Sequence, residues 1–504
     1  MRLDLIEAAT TLAKEYLLDI GTFIATLQGE DLSDVVNACG EAGFALKNVL
    51  CLDICGEFWR FDDDSDLEIR PPFIFLNSSV IQSCSLGSSP RPSPACQNIE
   101  AGHFYFRPMA CEKLLTPATC GTLLLEHRVV MSAMTRLRND PITEAPREMN
   151  RIYYEQRASE GGLIIAEGTA PAAEGRGYIR APGVFSDAHI EGWKLVNDAV
   201  HVKGGYIFCQ LMHAGRVSHP SLLPNNMVPV APSAVKMEGM VHVAGGKAPY
   251  ETPRALEIEE LPGIVKMYAT ASQRALEAGF DGIELHGGNG YLLQEFLAKK
   301  TNLRTDHYGG SVENRARFVL EVVDACVEAI GANKVGIKLQ QGVTFSDLVE
   351  PEDDCLAQLA YLGPELEKRR LAYVCLSSLN DDPYFKFAKL DKPNFTLDVF
   401  RYFRKHYKGT LMINGGLVPE KANEYIEDGT ADLVAFGVLF LANANLPELI
   451  ATGQELNPGG WSTQVWYGRN PEDDEKGFVD WPLVTAIVKK VEDVAAKVGD
   501  ALKL

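Results

Sequence analysis

Gly279-Phe280-Asp281-Gly282-Ile283-Glu284-Leu285-His286-Gly287-Gly288-Asn289-Gly290-Tyr291 is the stretch on which the reading of this chain turns. Ile283, Glu284 and Leu285 make a short apolar-centred run behind a glycine turn, the pattern of a buried strand. The run breaks into His286, two glycines, Asn289 and Gly290, and the helical pattern Leu292-Leu293-Gln294-Glu295-Phe296-Leu297 follows Tyr291. An imidazole, a carboxamide and a phenol therefore gather at the carboxyl end of one strand. The first two can donate to a single oxygen while the phenol stands by as a proton source. A lone buried histidine is more often a core residue, and glycines can mark nothing more than tight turns. The weight lies in the combination.

Working outward, near-continuous apolar runs alternate with amphipathic ones. Strands are predicted at about Arg128–Thr135, Leu163–Thr169, Tyr206–His213, Gly282–His286, Lys334–Leu339, Ala372–Ser377, Thr410–Asn414 and Asp432–Phe436. Helices are predicted between them, among them Asp187–Lys203, Ile258–Ala278, Val312–Ile330 and Glu352–Arg369. Apolar strands alternating with amphipathic helices mean a parallel sheet buried on both faces, and eight such units close into a (β/α)8 TIM barrel. The fold class is α/β, with residues 109–504 forming the barrel. A hairpin at Thr122–Leu125 is expected to plug its floor. The Pro- and Gly-rich stretch Val217–Pro253 is too long for an ordinary βα loop and is expected to cap the mouth.

Residues 1–108 stand apart as an N-terminal extension, partly disordered or a fragment of another fold. Leu3–Leu18 has helical apolar spacing with acidic residues between, which is neither a secretory nor a transit segment. Leu32–Leu50 faintly resembles the front of the 2-oxoglutarate oxygenases without their His and Asp metal motif, and Ser83–Pro94 reads as linker. A formal charge of −20 argues against nucleic acid or an anionic membrane as partner. No apolar run reaches the length of a membrane span, about 18 residues. Eleven cysteines, none at zinc or redox spacing, read as free thiols in a reducing compartment, and nothing suggests a metal. A cytoplasmic location is expected; the ending Leu502-Lys503-Leu504 only loosely matches a peroxisomal signal.

Past Tyr291 come Arg304-Thr305-Asp306, Tyr308-Gly309-Gly310-Ser311 and Glu313-Asn314-Arg315. With these, the chain from about Lys113 to about Val484 strongly resembles the old yellow enzyme family of FMN-dependent ene-reductases, which includes the plant oxophytodienoate reductases. The resemblance implies FMN as cofactor and NADPH as reductant. Hydride would pass through flavin N5 to the β-carbon of an α,β-unsaturated carbonyl compound, an enone or enal. It implies that His286 and Asn289 bind the carbonyl oxygen and that Tyr291 protonates the α-carbon. Flavin contacts are implied at Ala133, Met134, Thr135, Gly168, Gln210 and Lys338, and a phosphate site at Gly415, Gly416, Gly437 and Val438.

Three positions depart from the family's pattern. Met212 stands where several relatives carry an aromatic facing substrate, Lys338 where they carry Arg, and Val438 where Arg follows the last glycine. Lysine keeps the charge near flavin N1 but loses the planar fork. Losing one charge-assisted phosphate contact costs about 1.5–3 kcal/mol, so weak FMN retention is expected. Trp461, Trp466 and Tyr467 are candidates for an aromatic near the flavin face, and His213 reads as structural or rim. A flavin isomerase or cyclase, or a barrel that has lost FMN and serves as a binding scaffold, remain alternatives. A monomer or homodimer is expected.

Overall fold

The computed structural model describes residues 51–52, 58–59, 111–341, 345–378, 397–457, 466–468 and 471–480. The expectations placed on Leu3–Leu18, Leu32–Leu50, Ser83–Pro94, Trp461 and Leu502–Leu504 lie outside them. By its internal contacts the chain divides into residues 1–104 and 105–504. In the first unit Cys51–Leu52 pairs antiparallel with Phe58–Trp59.

In the second unit eight parallel strands close into a barrel. They are β1 (Val129–Met131), β2 (Leu163–Ile165), β3 (Tyr206–Leu211), β4 (Gly282–Gly287), β5 (Val335–Gln340), β6 (Tyr373–Ser377), β7 (Leu411–Asn414) and β8 (Leu433–Phe436), with β8 pairing back onto β1. Every predicted strand is present. Those expected to end at Thr135, Thr169 and His213 leave the ladder early, at Met131, Ile165 and Leu211. That frees Ala133–Thr135, Glu167–Gly168 and Met212 as loop backbone at the barrel mouth. The helices Asp187–Val202, Leu261–Glu277, Val312–Ile330 and Glu352–Arg369 match the predicted ones within a few residues. Ser311 caps the third by accepting from Asn314 N–H, and Gly331, at φ 90°, ends it.

Strands buried on both faces divide the core in two. Inside the barrel, Val130, Leu163, Ile165, Phe208, Tyr373, Cys375, Met412, Leu433 and Ala435 form one apolar stack. It is closed from below by an antiparallel hairpin, Ala118–Cys120 with Leu123–Leu125, whose Cys120 and Leu125 join the stack. Outside, the other strand faces meet the helices in a larger core that includes Ile283, Leu285, Phe318 and Val319.

The expected cap is built as two small sheets, Met240–Val243 with Gly246–Pro249 and Val230–Ala231 with Arg254–Ala255. Its Val217, Leu222, Val241 and Tyr250 pack with Met212 and Tyr291. The Arg304 and Arg315 motifs serve this architecture. Arg304 pairs with Asp306 and donates to the carbonyls of Pro232 and Leu256, pinning the cap's base, and Arg315 forks onto buried Asp354 at 2.7 and 3.0 Å. Among the described residues no helix is long and apolar enough to cross a membrane, and no group of three metal-ligating side chains gathers. The six described cysteines are buried and form no disulfide, and burial pushes Cys209 up to about 12.

Candidate active site

A strand places every second side chain on one face, so whatever follows Phe208 and Tyr373 by even steps also enters the barrel. Above the apolar stack this rule yields a polar layer. Gln210 donates to Glu284 Oε1 (2.7 Å) and Tyr373 donates to Glu284 Oε2 (3.0 Å). Lys338 reaches from β5 to Asn414 Oδ1 on β7 (3.0 Å), and the Asn414 amide donates to Ala435 O (2.7 Å). Burial raises the Glu284 carboxyl, and the Lys338 ammonium opposes that rise. Gln210 keeps one N–H and its Oε1 for a further partner.

One step higher, His286 lies opposite Lys338 in the β4–β5 register and is buried. Burial and the Lys338 charge hold its pKa well below the ordinary histidine value, so the ring is neutral. Gly288 N–H donates to its Nδ1 (3.2 Å). That bond fixes the tautomer: the proton sits on Nε2, which is left as a donor. Asn289 follows in the left-handed region at φ 56°, a conformation asparagine tolerates better than most residues. Its half-exposed side-chain amide makes no hydrogen bond with the described residues, so its N–H donors are open. The Tyr291 ring stands edge-on to His286, centroids 5.0 Å apart. His286 and Tyr291 are thus brought together, with Asn289 in the turn between them.

Some of the residues expected around a planar ring also meet. A β-carbon at Gly168 would lie 2.7 Å from the Met212 sulfur and 3.3 Å from Thr135 Oγ1, so these three form one patch. A β-carbon at Gly437 would lie 2.8 Å from the Met134 sulfur. Gly415, at φ 146°, directly follows β7, and a β-carbon there would meet Ser378 O at 1.7 Å, so no other residue fits. The short helix Val438–Ala442 starts just after Gly437 at the end of β8, with Val438 as its first residue.

The sequence model of the NADH:flavin oxidoreductase / NADH oxidase family matches residues 113–457. The chain belongs to the old yellow enzyme family. It is 39% identical over 394 residues to putative 12-oxophytodienoate reductase 5 of Oryza sativa subsp. japonica, covering 78% of this chain and 99% of that protein. It is 40% identical to flavin oxidoreductase hxnT of Emericella nidulans, covering 74% and 98%. Among solved structures, morphinone reductase is similar at 43% identity and a TM-score of 0.67 over 73% of this chain and 96% of its own. Its complex with tetrahydroNAD gives 42% identity and a TM-score of 0.66 over 74% and 98%.

An old yellow enzyme barrel implies FMN, and the donor set fits such a group. A buried cation, a carboxamide with a spare donor and acceptor, the Thr135 hydroxyl, without a partner among the described residues, and glycines where side chains would intrude gather at the carboxyl ends of the barrel strands.

Sequence reasoning missed several neighbours of these residues. The phenols of Tyr178 and Tyr291 are hydrogen-bonded (2.9 Å), and burial with the nearby Tyr291 raises Tyr178 well above the usual phenol range. Tyr467 adds to that rise, which places its phenol in the same neighbourhood, whereas Trp466 is buried with its carbonyl held by Arg136 and Arg138. Asp474 forms salt bridges with Arg180 and Arg147. His213 is fully enclosed, Nδ1 accepting from Gly215 N–H (3.1 Å), and burial lowers it to about 4. It is structural, as expected, and not at the rim.

Proposed function

We propose that this oxidoreductase is an NADPH-dependent ene-reductase acting on α,β-unsaturated carbonyl compounds. The observation that supports the reading is a neutral His286, its Nδ1 taken by Gly288 N–H, standing edge-on to Tyr291 at the end of one barrel strand, with Asn289 in the turn between them. FMN, when bound, supplies the redox chemistry, accepting a hydride from the reduced nicotinamide and yielding it to the β-carbon. Backbone at Ala133, Met134 and Gly168 with the side chains of Thr135, Gln210 and Lys338 would hold its ring, and Gly415, Gly416, Gly437 and Val438 its phosphate.

His286 and Asn289 bind the carbonyl oxygen, polarise the alkene and stabilise the enolate as charge builds on that oxygen. A neutral His286 suits this task because it donates without titrating near neutrality. Tyr291 delivers the proton to the α-carbon, and Tyr178, bonded to the same phenol oxygen, orients it. Met212, a flexible side chain beside Thr135, leaves the substrate side of the pocket adaptable.

Steady-state NADPH consumption with cyclohexenone tests the activity; a yellow protein that turns over neither cyclohexenone nor a quinone would refute it. Val438 favours a second reading, a barrel that no longer retains FMN. A colourless protein that FMN cannot reconstitute would establish that reading instead.

A further inference from the structure

We infer that Gln340 is a positioning residue for the carbonyl grip, acting through the backbone of Asn289; the inference rests on the reading that Asn289 binds the substrate oxygen. Gln340 is the last residue of β5 and is buried, next to the strand that carries His286. Its Oε1 accepts the Asn289 N–H, and its own carbonyl accepts from Gln294 Nε2 (3.1 Å). Gln294 Oε1 in turn accepts the Gly290 N–H (2.7 Å), and Ser346 Oγ donates to the Asn289 carbonyl (2.6 Å). Arg216 donates to the Ser346 carbonyl (2.8 Å), tying that serine to the cap side.

The backbone polar groups from Asn289 N–H to Gly290 N–H are thereby held by side chains, while the Asn289 amide is left open. A left-handed residue without such ties would relax toward commoner conformations and swing its amide away. Gly288 completes the fit: a β-carbon there would lie 2.8 Å from Gln340 Cβ and 3.1 Å from its Oε1. The glutamine side chain occupies the space that a larger residue at 288 would need.

Gln340→Leu keeps the bulk and removes the acceptor, whereas Gln340→Glu keeps the acceptor. In the flavin-loaded enzyme, Gln340→Leu should raise the KM for cyclohexenone about ten-fold, part of the roughly hundred-fold that a misplacement of one ångström costs. The limiting rate of flavin reduction at saturating NADPH should stay close to the parent value. Gln340→Glu should restore the parent KM, and Gln340→Leu combined with Asn289→Ala should be no worse than Asn289→Ala alone. Gln340→Met provides the same test if the leucine variant does not accumulate. An unchanged KM in the acceptor-free variant beside a raised KM in Asn289→Ala, or additive losses in the double variant, would overturn the positioning role alone. An unchanged KM in Asn289→Ala would remove the parent reading and this one together.

Discussion

The two sides of the barrel mouth are built by different means. After β4, the turn from Gly287 to Tyr291 is specified by side chains: a histidine tautomer set by Gly288, an asparagine held by Gln340 and Ser346, a phenol paired with Tyr178. After β7 and β8, the turns at Gly415–Gly416 and Gly437–Val438 are specified by the absence of side chains, with positive φ at Gly415 and Gly416 and no cation following. The first kind of site can orient a reacting molecule; the second can cradle one only with backbone. An enzyme of this design should hold its chemistry rigidly and its cofactor loosely.

The largest test of that contrast falls on the side-chain end. Replacing Tyr291 with Phe removes the proposed proton source and the bond to Tyr178 but leaves the edge-on ring against His286. The oxidative half-reaction should slow by about 10²- to 10⁴-fold, the range for loss of a positioned acid, while flavin reduction by NADPH stays nearly intact. Stopped-flow measurement of the two half-reactions decides it, and equal damage to both would break the assignment.

A smaller effect is expected at the backbone end. Val438→Arg adds a fork at the first residue of the short helix after β8. It should tighten FMN about ten- to a hundred-fold, the worth of one charge-assisted contact. FMN titration of the apoprotein measures this, and an unchanged dissociation constant would place the phosphate elsewhere.

The same contrast explains what could be read from the sequence. The barrel was legible because each strand and helix announces itself within a dozen residues, and the His286–Tyr291 trio because one turn carries all three. Tyr178 was not legible: it lies 113 positions from Tyr291, and a lone tyrosine in a loop carries no periodic signal. Gln340 carries no signal of its own in the sequence, and only the strand register brings it to Asn289, 51 positions away. The Asp474 bridge to Arg180 spans 294 positions. Arg304 and Arg315 were visible as family markers, yet their hydrogen bonds show them fastening the cap and the helices around the barrel.

A buried carboxyl beside the side-chain end gives pH a way to separate the two. Glu295, one helical turn beyond Tyr291, donates its backbone N–H to the Tyr291 carbonyl (2.9 Å) and accepts from Arg216 N–H with Oε1 (2.8 Å). Burial raises this carboxyl from 4.5 to about 8, with Arg216 opposing. The folded chain therefore keeps a proton that the unfolded chain releases above about 4.5. Its stabilising contribution is complete below that value and is lost as pH rises toward 8. Glu295→Gln preserves an acceptor for Arg216 N–H and cannot titrate. Relative to that variant, the parent should lose stability between pH 5 and pH 8, a divergence of about 2 °C or more in Tm. Parallel Tm profiles across that window would show that Glu295 is ionised in the fold, and that the turn side is no more pH-sensitive than the glycine side.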